Sequence, residues 1–133
     1  MNSIPNVLAP LARRFGLTLV VHFGSSASGR ARDDSDHDVA VWTTTPRRRR
    51  TLDWFGRLGA ALDRALRPGR ELDLVLLNGA DSLLLFHVAS RGRPLFQASP
   101  GTFGEFQSYA ARCYDDDAPR RVALDSWLEA QLG

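Results

Sequence analysis

Two stretches carry acidic side chains whose spacing suits metal chemistry. In "SDHDVAVW" Asp36 and Asp38 stand two residues apart at the head of an apolar run, and in "ELDLVLLN" Asp73 sits between Leu72 and Leu74. Side chains alternate faces along a strand, so Asp36 and Asp38 share a face about 7 Å apart along the backbone. Carboxylates that close repel unless a cation lies between them. Mg²⁺ is the natural cation, because it takes carboxylate and phosphate oxygens. A lone Asp inside an apolar strand, as Asp73 is expected to be, is costly unless paired or metal-bound. If the two strands are neighbours, Asp73 joins Asp36 and Asp38 around a metal pair. Glu71 shares the face of Asp73 but opens the strand and reads as exposed. Aspartate-rich segments are often only solvated turns, and Asp33 and Asp34 read that way.

Gly24 and Ser25 add a second element. They end "LTLVVHF" and open "SSASGRA", a strand–Gly–helix junction that aims backbone N–H groups outward. Such a junction suits phosphate, with Gly allowing close approach and the Ser hydroxyl adding a donor. Arg30 and Arg32 lie beside this segment, and Arg30 is the candidate nucleotide contact. "GSSASGR" comes near a P-loop, but Arg30 replaces the lysine and Ala31 the hydroxyl residue, which removes that reading. Taken alone, Gly24-Ser25 would be an ordinary turn.

These residues need elements to hold them. "VLAPLARRF" has apolar residues at 7, 8, 11 and 15, a helical spacing, with Pro10 expected to kink it or delay its start and Gly16 to stop it. Strands are expected over 17–23, 36–42 and 71–78, with a short one in "RPLFQA". The stretch from Thr43 reads as one helix, opened by capping residues and Pro46 and stopped at Pro68-Gly69. A helix capped by Asp81 or Ser82 closes at Gly92, and two helices follow over 102–114 and 119–131. Tyr114 with Asp115 to Asp117 reads as a capped helix end and an exposed acidic turn. Helices alternate with strands, so the class is α/β or α+β: a small mixed sheet covered by helices.

Composition bounds the rest. The chain has 133 residues, 44% hydrophobic, enough for a core, and its charge is +2 with every one of the 17 basic residues arginine. That balance is too weak to argue for direct nucleic-acid binding. No apolar run approaches the roughly 20 residues of a membrane span, and the N-terminus lacks the pattern of a secretory leader. The one cysteine, Cys113, fits a cytoplasmic setting. Arg47 to Arg50 read as a solvated helix start, with a patch for an acidic partner or RNA as the alternative. His37 is expected to turn away from the carboxylates, and His22 and His87 to be packing residues.

In combination, Gly24-Ser25, ten residues, Asp36-x-Asp38 and then Asp73 in a later strand resemble the DNA polymerase beta nucleotidyltransferase superfamily. The closest likeness is to its small stand-alone members, the minimal nucleotidyltransferases. "FGSSASGRARDDSDHDVAV" matches their signature at Phe23, Gly24, Ser25, Ala27, Gly29, Ala31, Ser35, Asp36 and Asp38. The likeness covers roughly 17 to 98, giving one nucleotidyltransferase domain over 1–133, with core 17–98 and a helical tail 102–131. It implies that Asp36, Asp38 and Asp73 are catalytic and hold two Mg²⁺ ions. Gly24 and Ser25 would hold the β- and γ-phosphates of ATP, and Asp73 would assist deprotonation of the nucleophile. It also implies a HEPN-domain toxin as partner, to which the chain transfers AMP as an antitoxin. Alternatives are an antitoxin that acts by occlusion alone and a transferase for a small molecule such as an aminoglycoside. Homo- and hetero-oligomers are both compatible with the sequence.

Overall fold

The computed structural model describes residues 3–24, 37–66 and 72–132. The first helix, α1 (Ile4–Phe15), starts earlier than expected. The hydroxyl of Ser3 accepts from the Asn6 N–H at 3.4 Å, and Pro5 falls in the first turn, where its missing N–H costs nothing. The helix runs through Pro10 and buries Leu8, Ala12 and Phe15, so packing outweighs one lost backbone bond. Gly16 ends it at φ 67°, donating back to the Ala12 carbonyl, a conformation glycine adopts without steric cost.

Four strands form one mixed sheet: β1 (Leu17–Phe23), β2 (His37–Thr43), β3 (Leu72–Leu76) and β4 (Arg93–Gln97). Their order is β3-β2-β1-β4. β1 runs antiparallel to β2 and β4, and β2 is parallel to β3. A parallel pair needs a crossover, and α2 (Leu52–Leu66) supplies it. The expected single helix from Thr43 is in fact two pieces. A 3₁₀ turn, Arg47–Arg49, comes first, and α2 then starts afresh behind Thr51, whose hydroxyl accepts from the Trp54 N–H at 3.1 Å. Thr51 is the true cap of this helix.

Helices cover both faces of the sheet. Val20, Val39 and Val41 pack with Leu8, Ala12 and Phe15 of α1 and with Leu58 and Leu62 of α2. The other face sets Leu19, Val21, Phe23 and Ala40 against Leu85, Val88 and Ala89 of α3 (Ser82–Arg91) and Phe106 and Ala110 of α4 (Thr102–Asp116). A register shift between Leu17 and Leu19 lets Leu17 and Val20 share a face. Asp81 caps α3 by accepting from the Leu84 N–H at 2.9 Å.

Three consecutive threonines tie β2 to the end of α1. Thr43 Oγ1 and Thr45 Oγ1 both donate to the Phe15 carbonyl at 2.8 Å. The Gly16 carbonyl takes the Thr44 N–H at 2.8 Å and the Thr44 hydroxyl at 3.2 Å. Asn78 locks the same end of the sheet. Its Oδ1 accepts from the Thr43 N–H at 3.0 Å, and its Nδ2 donates to the Thr43 carbonyl at 2.8 Å.

The last helix, α5 (Ala118–Leu132), buries none of its side chains. The acidic segment before it is the expected helix end, with Asp117 half-buried rather than exposed. Asp115 and Asp116 close α4, while Asp117 accepts from the Ser82 hydroxyl at 2.5 Å and from Arg120 at 3.3 Å. Among the described residues no helix is long and apolar enough to cross a membrane.

Candidate active site

The antiparallel β1–β2 pair brings the end of β1 beside the start of β2, and Phe23 pairs with Asp38. The parallel β2–β3 pair then sets the starts of two strands side by side, with Asp38 opposite Asp73. Neighbouring strands lie about 4.8 Å apart, and register partners share a face. Three strand ends therefore meet at one corner of the sheet. Alternation places Asp38 with Ala40, and Asp73 with Val75, on the face covered by α3 and α4.

Gly24 completes the corner. Its φ of 89° is a conformation that side chains rarely adopt, and a Cβ there would collide with the Asp38 carboxylate. Glycine is thus needed for two reasons, backbone and space. The phosphate argument drawn from the sequence gave only the second, and for a different neighbour. The carboxylate of Asp38 packs directly over this bare backbone.

Asp38 is half-buried. Asp73 is exposed, against the expectation of a carboxylate sealed in an apolar strand. β3 lies at the edge of the sheet and Asp73 is its second residue, so water and ligands reach it. A cleft of about 520 Å³ runs along this edge on the α2 side of the sheet, opposite the face to which alternation assigns the Asp73 side chain, bounded by Gly56, Gly59 and Asp63 of α2 and by Leu72 of β3. Asp63 is a carboxylate that sequence spacing did not single out. It lies ten residues from Asp73 on another element, and only the α2–β3 packing brings both to one cleft.

His37 turns to the opposite face, as expected, and stacks on the buried His22 with ring centroids 4.2 Å apart. His87 of α3 packs edge-on against Phe23 at 5.9 Å. It thus sits on the carboxylate face, against the residue that precedes Gly24.

The structure therefore brings Gly24, Asp38 and Asp73 together. Asp36, Ser25 and Arg30 lie outside the described residues. Among the described residues no group of three metal-ligating side chains forms, since two of the three expected carboxylates fall within them. Two adjacent carboxylates on one face are hard oxygen donors of the kind a divalent cation takes.

The polymerase beta nucleotidyltransferase family matches residues 7–100. A comparison with curated protein sequences finds no significant match. Among solved structures, a toxin–antitoxin with AMP-PNP is 25% identical, with a TM-score of 0.73 over 93% of this chain and 98% of the other. A minimal nucleotidyltransferase structure is 36% identical over 66% of this chain and 84% of its own, with a TM-score of 0.53. The fold is also that of the MNT antitoxin solved in complex with a tri-AMPylated Shewanella oneidensis HEPN toxin, at 23% identity, covering 94% and 96% of the two chains with a TM-score of 0.67. The match spans both strands that bear the paired carboxylates and the glycine that follows β1, and the chain belongs to the polymerase beta nucleotidyltransferase family.

Proposed function

We propose that this nucleotidyltransferase moves AMP from ATP to a protein acceptor, a HEPN-domain ribonuclease toxin, and so serves as its cytoplasmic antitoxin. The observation that carries the reading is the in-register pair Asp38 and Asp73 beside the bare backbone of Gly24. The likeness to antitoxin structures solved with AMP-PNP and with an AMPylated toxin supports the choice of nucleotide and partner.

The donor set fits Mg²⁺. Asp38 and Asp73, with Asp36, would hold two ions, which when bound neutralise the triphosphate and favour ionisation of the attacking hydroxyl. Each residue then has a distinct task. Gly24, whose missing Cβ leaves room for the Asp38 carboxylate, offers its backbone to the β- and γ-phosphates, and Ser25 adds a hydroxyl donor. Arg30 balances phosphate charge. Asp73, exposed at the sheet edge, is the carboxylate an incoming protein hydroxyl can reach, and it accepts that proton. The acceptor oxygen forms a bond to the α-phosphorus, the bond to the β-phosphate oxygen breaks, and pyrophosphate leaves.

The test is co-expression with the protein encoded beside it, followed by intact-protein mass spectrometry. The parent should add the mass of AMP to that partner, and the variant Asp73→Asn should bind the partner without modifying it. Protection of cells by Asp73→Asn, with no adduct formed by either protein, would replace catalysis by occlusion. Modification of an aminoglycoside, with no protein adduct, would give the small-molecule reading.

A further inference from the structure

We propose that the cleft between Arg47, Arg50 and the Asn78–Gly79 turn is a second phosphate-binding site, separate from the carboxylate corner. It lies where β2 and β3 end, whereas Asp38 and Asp73 lie where they begin. The strand alone carries the chain about 10 Å from Asp73 to Leu76, and Asn78 lies beyond its end. No nucleotide seated at the carboxylates needs this cleft for its own phosphates.

The argument begins with the turn. In a 3₁₀ helix residues three apart eclipse one another. Arg47 and Arg50 are three apart, and the Arg50 N–H donates to the Arg47 carbonyl at 3.1 Å. Both side chains border one cleft of about 570 Å³, whose other walls are Leu76, Asn78 and Gly79. Arg48 and Arg49 do not border it. The four arginines are therefore not an undifferentiated solvated run, for two of them border one cleft.

Among the described residues no carboxylate answers their charge. The salt bridges among the described residues join Arg57 to Asp53 and Arg120 to Asp117, and neither involves Arg47 to Arg50. Arg50 is half-buried, and its Nε is buried with no hydrogen-bond partner among the described residues. A buried donor on a cation with no acceptor is costly, which is why such groups normally have one. The following helix makes the arrangement worse, because cations before a helix start oppose its dipole.

The rest of the cleft is already built. The Asn78 side chain is held by both of its bonds to Thr43. Gly79, at φ 75°, has nothing within 4 Å of where a Cβ would stand, so the mouth stays open. Two unanswered guanidinium groups match a dianion with several acceptor oxygens, and phosphate carries a charge of about −1.5 to −2 at neutral pH. A carboxylate supplies one charge and two oxygens and leaves one arginine unanswered. The dianion can be free phosphate, or two successive RNA phosphodiesters of one charge each can take its place, where Arg48 and Arg49 would meet their neighbours.

The experiment uses the full chain in EDTA, so that the carboxylate corner holds no metal. Melting temperature is followed against inorganic phosphate at constant ionic strength. The parent should show a saturable rise. Arg47→Gln/Arg50→Gln should need at least ten-fold more phosphate, while Arg57→Gln should match the parent. If the double variant does not fold, Arg47→Gln alone, at an exposed position, should show the same weakening at smaller amplitude. An unchanged response in these variants would overturn the site, and an equal rise with acetate would overturn the phosphate. A labelled ten-nucleotide oligouridylate, followed by anisotropy, separates the sources. Binding at least ten-fold tighter than phosphate, with a log–log salt slope of about −0.7 per phosphate engaged, assigns RNA. Binding no tighter than phosphate assigns the free anion.

Discussion

Asp38 and Asp73 are 35 residues apart in sequence and directly opposite in the parallel β2–β3 ladder. Only folding brings the two carboxylates side by side. Neutralising one should therefore stabilise the metal-free protein while removing its response to ligand. For Asp38→Asn and for Asp73→Asn we expect the metal-free melting temperature to rise by roughly 1–3 °C, less at high salt. Addition of Mg²⁺-ATP should raise the parent further and leave both variants nearly unmoved. A full ligand-induced rise in either variant would remove that residue from the site.

Gly24 holds a φ of 89° against the Asp38 carboxylate. Even alanine there meets both the strained backbone and the carboxylate. Gly24→Ala should cost about 1–3 kcal/mol and weaken ATP binding beyond what instability explains. Calorimetric titration well below the variant's melting temperature checks the second part.

Gly56 is the contrasting case. It lies in the interior of α2 with nothing within 4 Å of its absent Cβ. Alanine removes backbone entropy from the unfolded chain at no steric expense. Gly56→Ala should stabilise the protein by about 0.5–1 kcal/mol, read as a higher urea midpoint with unchanged slope.

Asn78 bonds both the N–H and the carbonyl of Thr43. Asn78→Asp keeps the acceptor but sets an oxygen against the Thr43 carbonyl. A loss of about 1–3 kcal/mol is expected, and a smaller one at pH 3, where the protonated acid donates again. A loss independent of pH would mean that the donor bond contributes nothing.

Leu58 and Trp127 should separate core from surface. Leu58 is fully buried between α2 and the sheet, whereas Trp127 is 57% exposed on α5. Leu58→Ala should cost about 2–5 kcal/mol, and Trp127→Ser no more than about 0.5 kcal/mol, both by denaturant unfolding of the isolated chain.

Much of this was legible from residue order, and the failures have physical causes. β1 occupies the expected 17–23 because an unbroken apolar, β-branched run ends at a glycine. α1 begins three residues earlier than its first apolar periodic position, because Ser3 and Pro5 form a start signal that Pro10 obscured. The run after Thr43 looked continuous because Thr51 competes with three earlier threonines and Pro46 as the cap. Only hydrogen bonding decides between them. Asp73 was placed correctly on its strand and wrongly as buried, since sequence does not say which strand is the edge. The register that sets it against Asp38 was conditional on two strands being neighbours, and alternation alone cannot supply that. Asp63 reaches the cleft beside Asp73 only through tertiary packing.

The threonine ties between β2 and α1 carry a consequence for the order of events as the chain folds. The carbonyls at the end of a helix need partners from outside it, and those of Phe15 and Gly16 find theirs in Thr43, Thr44 and Thr45. Those residues arrive about thirty positions later. A chain that has emerged only as far as Phe23 has a first helix whose last turn is still open to water, and that turn frays. Closure of the β1–β2 hairpin locks the helix end and delivers Asp38 to Gly24 in one event. Hydrogen exchange at the last turn of α1 and at the β1–β2 ladder should accordingly slow together during refolding.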